Sequence, residues 1–233
     1  MKAMILCAGY GKRLQPLTLK SPKPLLKIGN ETLLSNTLKF LKSCGIKDVV
    51  INLHYLGKQI IDYINEKNFN LNITFIEEKN IILDTGGGIL NAIKHFNNEI
   101  FLAINPDTIW SSNYVKELKE MEKSFLSNKK IKCSMLVVDK SNSFDKNFKG
   151  DFNLKENKIN KNNKDNLKYI YTGLQIIKPE IFFNLKEKVF SMNKVWDNLI
   201  KNDQLFGIES NINFLHVSTL HTYEGLLKKL DVK

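Results

Sequence analysis

Short apolar runs alternate along this chain with segments whose apolar residues recur every three or four positions, a pattern that predicts β-α-β units around a sheet with parallel strands. Residues 3–6 predict a short buried strand. Leu33, Leu34, Thr37, Leu38 and Leu41 share one helical face, and Gly45 stands where that helix should stop. Residues 48–53 predict a second strand, Ile60, Ile61 and Ile64 the buried stripe of a second helix, and residues 72–76 a third strand. The stretch Leu83-Asp84-Thr85-Gly86-Gly87-Gly88 then precedes a helical run to about Phe96. A strand over 99–104 follows, with Asp107 just beyond its carboxyl end, where open α/β sheets bind ligands.

Past residue 110 the pattern loosens. A charged helix is expected over 113–126 and a strand over 132–138. The polar stretch 139–168 holds only brief strand-like pieces and reads as an insertion. Strands over 169–177, 205–209 and 213–217, a helix over 194–201 and a closing helix over 223–230 complete the reading. No internal repeat or long linker divides the chain, so one domain spanning 1–233 is expected.

With 42% hydrophobic and 10% aromatic residues the chain is globular rather than disordered. The absence of any apolar run near 18 residues and of a signal-peptide pattern points to the cytoplasm and away from a membrane. Cys7, Cys44 and Cys133 lack metal-ligand spacing and are read as small buried residues of a reducing compartment. A net charge of +11 raises the question of nucleic acid. The lysines, however, are scattered among asparagines, and the densest run, 155–168, has few aromatics for base stacking, so no nucleic-acid partner is expected.

Against this lysine-rich background Arg13 is the only arginine, in Leu6-Cys7-Ala8-Gly9-Tyr10-Gly11-Lys12-Arg13-Leu14. A planar, always-charged fork in a glycine-containing turn after a strand suits the grip of a phosphate. Ten residues on, Lys23 is held between Pro22 and Pro24, a cation on a stiffened segment. A dinucleotide fingerprint would need glycine where Leu14 stands, and a P-loop would need Ser or Thr where Arg13 stands, so neither motif is present.

The run from Leu6 through Pro16-Leu17-Thr18, followed by Ser21-Pro22-Lys23-Pro24-Leu25, resembles the signature of the sugar-1-phosphate nucleotidyltransferases. The resemblance implies a Rossmann-like α/β fold: a mixed, mostly parallel central sheet flanked by helices, with a sugar-binding insertion. It divides the domain into a nucleotide half, 1–110, and a sugar half, 111–233. It also implies that Ala8, Gly9 and Gly11 cradle a triphosphate, that Arg13 holds the departing phosphates, and that Lys23 lies near the α-phosphate. Thr85, Gly86 and Gly87 would lie against the nucleobase, with Asp151, Thr172 and Gly173, from Gly150-Asp151-Phe152 and Tyr171-Thr172-Gly173-Leu174, against the sugar. Asp107, in an Asn-x-Asp pattern, would be a metal ligand, since a carboxylate is the hard oxygen donor that Mg²⁺ prefers.

Two departures from the family pattern stand out. Pro106 occupies a position usually held by Gly or Ser, and His216 in Phe214-Leu215-His216-Val217-Ser218-Thr219 stands where a second metal carboxylate is common. Either Asp107 and the substrate phosphates hold the metal with water, or His216 contacts phosphate or recruits Mn²⁺. The features shared with short uridylyltransferases that act on N-acetylmuramate 1-phosphate are the Gly-Asp-Phe segment, the uninterrupted Thr-Gly-Gly-Gly and the length. The expected partners are therefore a nucleoside triphosphate, UTP, and that sugar phosphate, in a monomer or small homo-oligomer. A mannose- or heptose-1-phosphate guanylyltransferase is the rival within the family. A nucleotide-sugar sensor without catalysis is the rival outside it.

Overall fold

The computed structural model describes residues 1–231, so the last two residues of the expected domain 1–233 lie outside the described residues. Its strands are β1 (Lys2–Leu6), β2 (Lys27–Ile28), β3 (Glu31–Thr32), β4 (Asp48–Leu53), β5 (Asn72–Glu77), β6 (Phe101–Ile104), β7 (Cys133–Asp139), β8 (Asn153–Lys155), β9 (Lys158–Asn160), β10 (Tyr169–Ile177) and β11 (Leu205–Ser210). The helices are α1 (Leu33–Ser43), α2 (Gly57–Lys67), α3 (Asp84–Ala92), α4 (Tyr114–Ser127), α5 (Met192–Lys201) and α6 (Leu220–Asp231). Nine strands form one mixed sheet in the order β5-β4-β1-β6-β10-β7-β11-β9-β8, and β2 pairs with β3 alone. The pairs β5-β4, β4-β1 and β1-β6 are parallel, whereas β10 runs antiparallel to both β6 and β7.

The short apolar runs are strands because both faces of the sheet are covered. Successive residues of a strand point to opposite faces. Ala3 and Ile5 accordingly join one core with Leu34, Leu38 and Leu41 of α1, Ile60 and Ile64 of α2, and Leu118, Met121 and Phe125 of α4. Met4, between them, joins the other core with Ile89 and Ala92 of α3 and Met192, Val195, Trp196 and Leu199 of α5. A strand buried on both sides has no polar face, so it reads as a continuous apolar run rather than an alternation.

Three expectations are corrected. Residues 213–217 form no strand of a sheet; they make isolated bridges, Phe214 to Ser143 and His216 to Thr108, because the segment crosses the loops at the sheet's end instead of lying along a strand. The three glycines do not precede α3 but lie inside its first turns, where α3 packs closely on residues 188–190. Cys7 and Cys133 are buried, whereas Cys44, at the end of α1, is only half-buried, and its partial burial pushes the thiol pKa up to about 11.

Candidate active site

A cavity of about 380 Å³ opens at the carboxyl ends of β1, β4 and β6. It is lined from the end of β1 by Leu6, Cys7, Ala8, Gly9, Gly11, Lys12, Arg13 and Leu14, from β4 by Asn52, and from the loop after β6 by Asn105, Pro106 and Asp107. Lys23, Pro24, Ile82, Asp84, Thr85 and Ser218 complete it. Ala8, Gly9, Gly11, Arg13, Lys23, Thr85 and Asp107 thus line one cavity together.

The loop after β1 is closed by Leu14 N–H donating to Gly11 O at 2.9 Å and by the Thr18 hydroxyl donating to the same oxygen at 2.9 Å. The amides of Gly9, Tyr10 and Gly11 make no hydrogen bond among the described residues, which leaves a run of N–H donors for an anion. Arg13 is exposed at the cavity and has no acidic partner among the described residues. Lys23 differs: its ammonium lies 2.5 Å from Asp107 Oδ2.

Asp107 is held from several directions. Its carbonyl accepts from Val217 N–H at 2.9 Å, and Ile109 N–H donates to Leu215 O at 2.9 Å, so the 215–217 segment is laced to the loop after β6. This brings His216 Nε2 to 3.2 Å from Asp107 Oδ2. Burial alone would push the Asp107 carboxyl pKa up, but Lys23 and His216 outweigh it and hold the group well below the usual carboxylate range. Asp107 Oδ1 and His216 Nδ1 are buried and have no hydrogen-bond partner among the described residues. A free carboxylate oxygen beside an open cavity fits a divalent cation that takes its other ligands from water and phosphate, as Mg²⁺ does. Among the described residues no cluster of three or more His, Cys, Asp or Glu side chains could hold an ion by themselves.

Other expected residues stand one layer back. Gly86 and Gly87 do not line the cavity; both amides donate to Phe190 O, at 2.9 and 3.0 Å. A Cβ on Gly87 would lie 2.2 Å from Lys188 O, so the glycines let α3 touch the 188–190 segment. Thr172 is buried, its hydroxyl donating to Leu136 O at 2.9 Å and its carbonyl accepting from the Thr108 hydroxyl at 2.7 Å. Gly173 has φ +93°, and its carbonyl accepts from Asn105 N–H at 2.8 Å. Both residues therefore brace the loop that carries Asp107. Asp151 accepts from Tyr171 N–H at 2.9 Å, and its burial raises the carboxyl pKa despite that bond.

The sequence reading missed Asn52, Asp84 and Ser218. Asn52 Oδ1 accepts from Cys7 N–H at 2.9 Å while its amide donates to Glu78 Oε1 at 2.7 Å, and Glu78 Oε2 accepts from Leu83 N–H at 2.8 Å. This buried chain ties the loop after β1 to the start of α3. A lone Asn inside an apolar strand run, Val49-Val50-Ile51-Asn52-Leu53, was the signal available for it.

Residues 2–144 match the nucleotidyl transferase family. The chain belongs to this family. Among curated relatives, the N-acetylmuramate alpha-1-phosphate uridylyltransferase of Neisseria meningitidis is 40% identical over 110 residues, 47% of this chain and 48% of that one. In that match the chain spans about half the length of its relative. The enzyme of the same name from Caulobacter vibrioides is 26% identical over 220 residues, 92% and 90% of the two chains. The mannose-1-phosphate guanyltransferase of Saccharomyces cerevisiae is 28% identical over 225 residues, 90% of this chain and 59% of the relative. The crystal structure of HddC from Yersinia pseudotuberculosis complexed with GMP-PN superposes with a TM-score of 0.76, covering 98% of both chains at 24% identity, so the two share a fold.

Proposed function

We propose that this nucleotidyl transferase family member joins UTP to N-acetylmuramate 1-phosphate, giving a nucleotide sugar and pyrophosphate by attack of a sugar-phosphate oxygen on the α-phosphorus. The convergence of Arg13, Lys23 and Asp107 on one cavity, with Arg13 unpaired, carries this reading. Such a reaction asks little covalent chemistry of the protein; it needs two repelling anions held in line and the developing charge stabilised. The free amides of Gly9, Tyr10 and Gly11 and the Arg13 fork receive the phosphates that leave. Lys23, released from Asp107 as phosphate enters, turns its ammonium to the α-phosphate, and Asp107 then keeps His216 on Oδ2 and leaves Oδ1 open. A divalent cation bound through Asp107, Mg²⁺ or Mn²⁺, would neutralise phosphate charge there.

The uridylyl and muramate assignment is supported by the two uridylyltransferase relatives, one matched over 92% of this chain. The match to a mannose-1-phosphate guanyltransferase over 90% of this chain favours GTP with mannose 1-phosphate as the second reading. No described helix is long and apolar enough to cross a membrane. The proposed setting is the cytoplasm, where nucleoside triphosphates are made, and the proposed role is the recycling of cell-wall sugar. Pyrophosphate release with Mg²⁺, offering each nucleoside triphosphate against a panel of sugar 1-phosphates, tests the assignment. Release with UTP and N-acetylmuramate 1-phosphate is expected; release confined to GTP with mannose or heptose phosphate would transfer the protein to the second reading, and binding without release would make it a sensor.

A further inference from the structure

Gly88, the third glycine of the run, does not line the cavity; a Cβ there would lie 2.8 Å from Asn52 Nδ2 and 3.0 Å from Glu78 Oε1. The start of α3 therefore packs directly on the Asn52–Glu78 pair. Glu78 is buried, and both its carboxylate oxygens accept from N–H groups, Oε1 from Asn52 Nδ2 at 2.7 Å and Oε2 from Leu83 N–H at 2.8 Å. Its backbone makes two more bonds. The amide donates to Leu53 O at 2.8 Å, and the carbonyl lies 2.5 Å from His54 Nδ1. A carbonyl only accepts, so Nδ1 carries a proton, and Nε2 of the neutral ring, 3.1 Å from Tyr10 Oη, accepts from that hydroxyl.

Two ties thus run from Glu78 to the loop after β1. One passes through Asn52 to Cys7 N–H at the loop's start, the other through His54 to Tyr10, between Gly9 and Gly11. The Tyr10 ring is outside the cavity lining, edge-on to His54 with centroids 5.5 Å apart and 5.6 Å from Tyr55. A third tie, through Leu83 N–H, runs to the segment whose Ile82, Asp84 and Thr85 line the cavity. Glu78 does not line the cavity itself, so it acts on a ligand only through the groups it holds. A glycine-containing loop has many backbone conformations open to it. A site that is competent in only some of them binds with an affinity reduced by that fraction, and fixing the loop beforehand removes the loss.

We propose that Glu78 is a positioning residue for the nucleoside triphosphate: acting through Asn52, His54 and Leu83, it holds the loop after β1 and the 82–85 segment in one fixed relation, ready for phosphates and base together. The inference rests on the nucleotide-binding part of the nucleotidyl-transfer reading and names a residue that serves it.

Glu78→Gln keeps the shape but gives the pair one donor too many. Its NH₂ must face Asn52 Nδ2 or Leu83 N–H, and turning the Asn52 amide over moves the conflict to Cys7 N–H. Asn52→Asp combined with Glu78→Gln reverses the central donor and acceptor. The new carboxylate then accepts from Cys7 N–H and from the new amide, whose oxygen accepts from Leu83 N–H. Tyr10→Phe, at the exposed end of the second tie, keeps its ring contacts and carries the test even if Glu78→Gln unfolds too readily to titrate. Kd for UTP and for GTP with Mg²⁺ would be measured by titration calorimetry, beside Tm and the KM for sugar 1-phosphate. Glu78→Gln is expected to raise the nucleotide Kd by about 5- to 100-fold, and Tyr10→Phe by about 2- to 10-fold, with the sugar-phosphate KM within about twofold. The double substitution is expected to bring Kd back to within about threefold of wild type. An unchanged nucleotide Kd with a lowered Tm, or a double variant no better than Glu78→Gln, would overturn the inference and leave the reaction intact. A wild type that binds nucleotide without turnover would overturn the transfer reading alone, and one that binds no nucleoside triphosphate would overturn both.

Discussion

Arg13 is the residue on which the proposed chemistry most depends, because it combines fixed charge, two-pronged geometry and the absence of an acidic partner among the described residues. A lysine there would keep the charge and lose the fork. Arg13→Lys is expected to lower kcat/KM by about 10- to 100-fold without changing the unfolding temperature, as measured by steady-state kinetics beside a thermal melt. Near-normal turnover would remove Arg13 from the phosphate site. Glu117 allows a different test. Its burial pushes the carboxyl pKa above the ordinary 4.5, against the opposing bonds from the Ser210 hydroxyl and the Asn211 backbone. A carboxyl whose folded pKa lies above its unfolded value contributes stability that is fully present below the unfolded value and lost as pH rises through the folded one. Glu117→Gln should therefore match the wild-type Tm near pH 4 and exceed it at about pH 7; equal melting curves across that range would contradict the burial argument.

At the scale of the elements, α3 links the sequence to the site. Gly86 and Gly87 are in its first turns because the 188–190 segment docks there through Phe190 O, and because Met192 N–H donates to the Thr85 hydroxyl at 2.9 Å. Gly87→Ala would drive a methyl into Lys188 O, with an expected loss of about 1–3 kcal/mol. For a chain of this size that is a fall of roughly 2–12 °C in Tm, measurable by calorimetry, accompanied by faster proteolysis of the 183–191 segment. An unaltered Tm would show that the contact carries no stability. The same helix marks a limit of sequence reading. Strands buried on both faces were legible to the residue, as at Asp48–Leu53 and Tyr169–Ile177, because apolar runs are a local signal. Three glycines read locally as a loop, and only the distant 188–190 segment makes them helical. Likewise 213–217 carries strand-like residues but meets loops, and the β2-β3 hairpin is too short to leave a pattern. In the site, the contiguous residues 8–13 and the Pro-Lys-Pro step were legible, whereas Asn52, Ser218 and the Asp107–His216 contact depend on strand order and long-range packing that no local motif encodes.

For the whole molecule, the sheet arranges the reaction along one edge. Parallel β1 and β6 deliver the glycine-containing loop and Asp107 side by side, and β10, which runs the other way, brings its first residues to the same edge. The two apolar cores hold these strands rigidly from both faces, so the loops that do chemistry extend from a fixed frame. The central claim is that a sugar-phosphate oxygen attacks the α-phosphorus held at this edge. N-acetylmuramate 1-phosphate carrying ¹⁸O in its non-bridging phosphate oxygens, turned over with unlabelled UTP and analysed by mass spectrometry, tests it directly. The account predicts that the nucleotide sugar retains the whole label and that the pyrophosphate carries none. Label in the pyrophosphate, or release of pyrophosphate without a labelled nucleotide sugar, would contradict it.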